Sequence, residues 1–225
     1  MNGSKKINIK KLSVIAMLCA LGFLCTVLFK FKVGFLTFDI KDAILAISSL
    51  LYGPVAGILS SAVVALLEMV TVSDTGVYGM IMNFLSSGTF TLVCGLIYKH
   101  RRSMSGAVVG VIAAAVSVTA VMLLANLFIT PFYMGVERSE VIGMLSTLLL
   151  PFNAIKAVLN AALTLVIYKP FTGTMRKAKL LPERKDQAYK LGVKSIVLMV
   201  SAVVVIVLAM LFFVLHLNGS FEFFG

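Results

Sequence analysis

The sequence predicts an all-α integral membrane protein, a bundle of six transmembrane helices followed by one further apolar segment. Three observations carry this. Hydrophobic residues make up 60% of the 225 and charged residues only 13%, and mean hydropathy is +1.05, whereas only about half of an average soluble domain is apolar. Charges gather in short runs between apolar stretches of about 18 to 25 residues, the length a helix needs to cross a hydrocarbon core of about 30 Å. The stretches are unbroken, while strands of a membrane barrel would alternate between lipid and lumen.

The first span is expected over 12–29, entered from a basic tail carrying Lys5, Lys6, Lys10 and Lys11. It is too long for a signal peptide and lacks a small-residue cleavage pattern, so it is read as part of the mature fold. A polar connection, 30–42, leads to a second apolar stretch ending near Leu51. Tyr52-Gly53-Pro54 then turns the chain into a third span reaching Val72, and Ser73-Asp74-Thr75-Gly76 makes the next turn. The fourth span, 78–98, ends at Lys99-His100-Arg101-Arg102, and the fifth, 106–130, is expected to stop at Pro131. After Glu137-Arg138-Ser139-Glu140 the sixth span runs over 141–168 and is interrupted by Pro151. A basic, helix-compatible linker then leads to a final apolar run, 196–217, expected as a peripheral seventh helix.

The net charge of +11 raises the question of nucleic acid, but its placement answers otherwise. Lysines and arginines cluster beside span ends, at the amino terminus, at 99–102 and over 169–194, the cytoplasmic signature of membrane topology. Both ends of the six-span core are therefore expected inside, and the tail beyond Lys194 outside if the last run spans. Lys30, Lys32 and Lys41 fall on the outer side, partly offset by Asp39 and Asp42. Cys19, Cys25 and Cys94 lie within spans without metal-ligand spacing and are read as small packing residues.

The residues that carry chemistry are polar groups at membrane depth. Lys156 lies inside an apolar run with Asn153 one helical turn before it and no acidic residue nearby in sequence. An ammonium there must face water, a pocket or acceptor groups. In the six-span topology Asn83, Asn126, Asn153 and Lys156 converge at one depth near the outer side, which suggests a pocket open outward. Each has a blander reading: a lone membrane Asn bonds across helices, and a Lys caps a carbonyl or snorkels. Glu68, near the outer end of the third span, is read as an interfacial carboxylate. Ala16 and Ala20, four residues apart, place two small side chains on one helix face where another helix can approach closely.

Nothing in the chain matches a GxxxxGK[ST] phosphate loop, an HExxH motif or a Ser/His/Asp arrangement. This chain is therefore not expected to hydrolyse ATP through such a loop, and an enzyme is not expected.

The stretch 35–43 (FLTFDIKDA), the Tyr52-Gly53-Pro54 turn, Ser73-Asp74-Thr75-Gly76 leading to Tyr78 and Asn83, and the Asn153/Lys156 pair together resemble the riboflavin-binding S components of energy-coupling-factor (ECF) transporters, over about residues 8–172. The resemblance implies a six-helix bundle around a vitamin pocket near the outer face of a bacterial cell membrane, closed by the loop after the first helix. It implies that Asn126, Asn153 and Lys156 contact the flavin, with amides on the ring's polar edge and neutral ligand acceptors in place of a counter-ion for Lys156. Phe38 and Asp39 become wall or lid contacts, and Tyr78 a border of the ring. Ala16 and Ala20 fit the first-helix motif that docks on the transmembrane coupling (T) subunit, which works with two ATPase subunits. Riboflavin is then cargo, and no cofactor is implied. The chain divides into a binding domain, 1–172, a cytoplasmic linker, 173–195, and a last helix with its tail, 196–225, which departs from the family pattern. Another vitamin or precursor, an ion-coupled carrier using Glu68 and Lys156, and a non-transporting membrane protein remain as alternatives.

Overall fold

A computed structural model describes residues 9–180 and eight further positions between 193 and 211. Helix α1, Ile9–Phe29, leads into an antiparallel hairpin of β1, Phe31–Val33, and β2, Leu36–Phe38. Gly34 holds φ 58° at the first turn position, a left-handed value that glycine adopts without steric cost. This hairpin occupies the stretch expected as a mere polar connection. Its alternation is real, since Val33, Leu36 and Phe38 are buried while Lys32 is exposed. Three residues per strand are too few for that alternation to stand out in sequence.

Helices α2, Lys41–Tyr52, and α3, Pro54–Thr71, follow. Gly53 at φ 92° separates them, and Pro54 opens α3 where its missing N–H is harmless. The six-helix bundle expected from the sequence is what forms, with α2 its one short member. Helix α2 has 12 residues, about 18 Å at 1.5 Å per residue, too short to cross the hydrocarbon core alone. It sits instead at the centre of the bundle, packed by α1 and α3 and by two later helices, α4, Gly76–His100, and α7, Leu150–Lys177. Its first residues, Lys41 and Asp42, are 1% and 3% exposed, so they lie inside the protein rather than on the outer surface. Among the described residues, five helical segments, including the 138–177 stretch, are long and apolar enough to span.

Close packing around α2 depends on small side chains. A Cβ at Gly57 of α3 would stand 2.7 Å from Ser49 Cβ and 2.8 Å from Thr91 Cβ, so this crossing of α2, α3 and α4 requires glycine. Ser49 donates to the Thr91 carbonyl at 2.6 Å, tying the same crossing with a buried hydrogen bond.

Helix α5, Met104–Met134, is capped by Ser103, whose hydroxyl accepts from the Gly106 N–H at 3.1 Å. It runs through Pro131 instead of stopping there. The proline lies in the last turn, where its lost hydrogen bond is tolerated, and the helix ends at Gly135 with φ 68°. Then α6, Arg138–Met144, passes through a π-helical turn, Leu145–Leu149, into α7. That turn widens the backbone just ahead of Pro151, which cannot donate and whose ring crowds the preceding turn. The break expected at Pro151 is thus a wide turn within one continuous 40-residue helical stretch.

The described positions of the last apolar run, among them Val197, Val204 and Leu211, are helical and exposed. Whether 196–217 crosses the membrane lies outside the described residues.

Candidate ligand-binding site

The ends of the helices decide where the site forms. Thr26 near the end of α1, Glu68 near the end of α3, Asn83 in the first half of α4, Asn126 in the second half of α5, and Asn153 and Lys156 near the start of α7 all line one cavity of about 210 Å³. Up-and-down connectivity brings these positions to the same end of the bundle. The basic cluster after α4 and the start of α1 lie at the other end.

Lys156 does have a counter-ion. Its Nζ donates to Asp39 Oδ2 at 2.8 Å and to the Thr37 carbonyl at 3.1 Å. The acidic partner stands 117 residues earlier, just after β2, so no local reading could pair them, and the expectation of purely neutral acceptors is corrected. Lys41 donates to the same Asp39 Oδ2 at 3.3 Å and to Glu68 Oε2 at 3.0 Å. Glu68 also accepts from Thr26 Oγ1 at 2.8 Å and from Asn83 Nδ2 at 2.7 Å.

Two lysines and two carboxylates therefore neutralise one another in the interior. Glu68, expected at the interface, is 2% exposed. A buried carboxylate needs this compensation, since removing one member of a buried ion pair destabilises by about 3–5 kcal/mol. Asn160 completes the support: its Oδ1 accepts from the Ala43 N–H at 2.9 Å and its Nδ2 donates to the Asp39 carbonyl at 3.2 Å. Burial by itself would raise the Asp39 carboxyl, but Lys156 and Lys41 beside it hold it well below the usual carboxylate range.

The α5 and α7 side of the cavity has a different character. Asn126 Nδ2 donates to the Met122 carbonyl at 2.7 Å, and its Oδ1 accepts from Thr130 at 2.9 Å. Asn153 Nδ2 donates to the Leu149 carbonyl at 2.8 Å. Each amide thus has its orientation set within its own helix. Around them stand Met122, Tyr133 and Phe152, giving an apolar and aromatic wall with two amide groups set in it.

Phe38 and Tyr78 are placed behind the cavity rather than among its described lining residues. Phe38 is 1% exposed and packs edge-on to Phe152 at 6.0 Å. Tyr78 is half exposed and packs against Tyr133 at 6.3 Å. Ala16 and Ala20 are exposed on α1, away from the site.

The hairpin covers the cavity mouth. Lys30 Nζ donates to the Val72 carbonyl at 2.6 Å, and Lys32 pairs with Asp74 across to the loop between α3 and α4. The hydrogen bond and charge of Lys32 lower the Asp74 carboxyl from its ordinary value.

Sequence reasoning missed Lys41, Glu68 and Thr26 as parts of the site, along with Asn160 and Tyr133. The available signal was a lone acid in an apolar span, Glu68, together with a lysine at the head of the second apolar stretch, Lys41.

Residues 10–168 match the family described as "ECF transporter, substrate-specific component". The riboflavin transporter RibU of Staphylococcus aureus (strain TCH60) is 30% identical over 190 residues, covering 79% of this chain and 100% of that protein. The riboflavin transporter FmnP of Bacillus subtilis (strain 168) is 29% identical over 188 residues, covering 77% and 99%. A solved structure of the S component of a bacterial ECF transporter superposes with a TM-score of 0.64 at 30% identity, covering 75% of this chain and 98% of that one.

Proposed function

The chain belongs to the family of ECF transporter substrate-specific components, and from that premise we propose that it captures riboflavin outside the cell and delivers it inward with a T subunit and two ATPase subunits. The observation that carries the reading is the amide-bearing aromatic wall of Asn126, Asn153, Tyr133 and Phe152 beside Lys156. An isoalloxazine ring offers a flat apolar surface with hydrogen-bonding groups along one edge. Amides suit that edge because each carries both donors and acceptors. Lys156 has three donors, of which Asp39 and the Thr37 carbonyl take two, so one proton is left for a ligand carbonyl.

Seating the ring requires movement. The cavity of about 210 Å³ is below the roughly 300–1,000 Å³ typical of small-molecule sites. The hairpin lines the cavity and is held there by the Lys30 and Lys32 contacts as well as by the buried Val33, Leu36 and Phe38; its displacement is the movement that would admit the ring. The basic clusters support an amino terminus in the cytoplasm and a cavity open to the outside. Residues 1–172 are read as the binding domain, 173–195 as a cytoplasmic linker, and 196–225 as an added helix and tail.

Flavin fluorescence tests this directly. The detergent-purified chain is titrated with riboflavin, alongside Asn153→Ala. Saturable quenching that weakens in the variant supports the assignment. A folded protein that quenches nothing removes riboflavin and turns attention to other vitamins.

A further inference from the structure

The end of the bundle opposite the cavity carries basic residues and, among those described, no carboxylate. Asp39, Glu68 and Asp74 line the cavity, Asp42 lies in the first turn of α2 beside them, and Glu137 and Glu140 follow the cavity end of α5. At the opposite end one corner gathers positive charge where α1 begins and α7 stops. Lys10 and Lys11 open α1, Arg176 and Lys177 close α7, and Lys179 follows.

This corner has a fixed structure. Lys10 Nζ donates to the Lys179 carbonyl at 3.5 Å, joining helix ends that lie 169 residues apart. Lys179 takes φ 56°, the one non-glycine residue with positive φ among those described. That left-handed step ends α7, with the Leu180 N–H donating to the Met175 carbonyl at 3.0 Å. Leu180 is thereby folded back onto the cluster of Val14, Leu18 and Tyr52. Lys11 Nζ stands 5.5 Å from the centre of the Tyr52 ring.

Two donors here have nothing to donate to. Tyr52 Oη, at the end of α2, and Arg176 Nε are buried, and neither has a hydrogen-bond partner among the described residues. An unsatisfied buried donor costs free energy. Both residues are only half-buried, so a side-chain rotation brings each polar end to the surface. A guanidinium, two ammonium groups and a hydroxyl with no carboxylate beside them suit an anion rich in acceptor oxygens. Ile9 and Leu12, which flank the two lysines, are 75% and 58% exposed on a helix long and apolar enough to span. An anion that meets this corner therefore arrives with apolar chains attached.

We propose that the corner of α1, α2 and α7 binds the headgroup of an anionic phospholipid. Lys10 and Lys11 attract the phosphate, Arg176 donates to it through its planar fork, and Tyr52 donates its hydroxyl. The acyl chains lie along Ile9 and Leu12. One lipid then fastens α1 to α7 at the end remote from the cavity, and steadies the helix that presents Ala16 and Ala20.

The test uses the full chain in an uncharged detergent, titrated with phosphatidylglycerol, phosphatidylcholine or inorganic phosphate. Native mass spectrometry reads bound lipid, and thermal unfolding reads stabilisation. Phosphatidylglycerol should stay bound and raise the melting temperature, and the other two should not. Lys11→Gln combined with Arg176→Gln should weaken phosphatidylglycerol by about tenfold or more, and Tyr52→Phe by about threefold or more, the loss of one hydrogen bond. Arg101→Gln combined with Arg102→Gln removes the same charge from the same end, after α4, and should change binding by less than about threefold. Equal losses in the two double variants would mean diffuse attraction to basic residues and overturn the proposal. Phosphatidylcholine bound as tightly as phosphatidylglycerol would overturn it too, and stabilisation by inorganic phosphate alone would make this a free-anion site rather than a lipid site. Tyr52→Phe keeps the ring beneath Lys11 and decides the matter should the first double variant fail to fold, since unchanged binding in it overturns the site.

Discussion

Lys156 and Asp39 meet at 2.8 Å across 117 residues of sequence, and their contact fastens the segment after the hairpin to α7, the helix that also carries Asn153. Asp39 is shared, since Lys41 reaches the same oxygen at 3.3 Å. The pair is both part of the site and a clamp on its cover.

Removing either partner leaves the other charge buried. Lys156→Ala and Asp39→Ala should each lower the melting temperature in detergent, by a free energy of about 3–5 kcal/mol, and weaken riboflavin at least about a hundredfold, in line with lost charged contacts. The double variant Asp39→Asn with Lys156→Met should recover most of the stability and none of the affinity. Thermal unfolding and quenching titrations read the two effects separately. Recovery of affinity in the double variant would rule Lys156 out as a ligand contact.

The Lys32 and Asp74 pair bridges the hairpin and the loop between α3 and α4 from solvent-exposed positions. Screened surface pairs contribute little to stability, so Lys32→Ala should leave the melting temperature unchanged. Its effect should fall on kinetics, with riboflavin dissociating faster in stopped-flow, and with the wild type drifting toward the variant as salt is raised. Identical dissociation rates would remove the latch role.

Asp39 supplies the pH expectation. Its folded carboxyl is held below the ordinary value, so its stabilisation is present above the unfolded carboxylate value of about 4. That contribution is lost as pH falls through the depressed folded value. Riboflavin affinity should therefore be flat between about pH 5 and pH 8, both on the ionised side of an ordinary carboxylate. A titration midpoint near neutrality would show that a group other than Asp39 governs binding.

Ala16 and Ala20 lie exposed on α1, remote from the cavity. Ala16→Trp should leave riboflavin binding by the isolated chain unchanged and reduce uptake in cells that supply the T subunit and ATPases, because a large side chain blocks close helix approach. Uptake at the wild-type level would show that docking uses another face.

The candidate site was partly legible along the chain. Asn126, Asn153 and Lys156 stood out because an amide or ammonium inside an apolar run must find a partner, and their common depth, which followed from counting spans, favoured a shared pocket over the blander reading of each. Glu68 was seen but assigned to the interface. Depth alone could not tell that its helix turns it toward Lys41 rather than toward headgroups. The hairpin escaped notice because three-residue strands leave no periodic trace, and the burial of the second helix at the centre was not legible because an apolar run of that length fits a lipid-facing helix equally well.

Membrane class, the order of the long apolar helices and the turns at Gly53 and Gly76 were determined by the sequence itself. Apolar length, charge clusters and the steric demands of glycine and proline are local properties, written in consecutive residues. The pairing of Lys156 with Asp39, of Lys41 with Glu68, and the burial of α2 at the centre were decided by the tertiary structure alone. A buried charge is neutralised by whatever stands within about 4 Å in space, and that neighbour is set by how helices distant in sequence pack around one another.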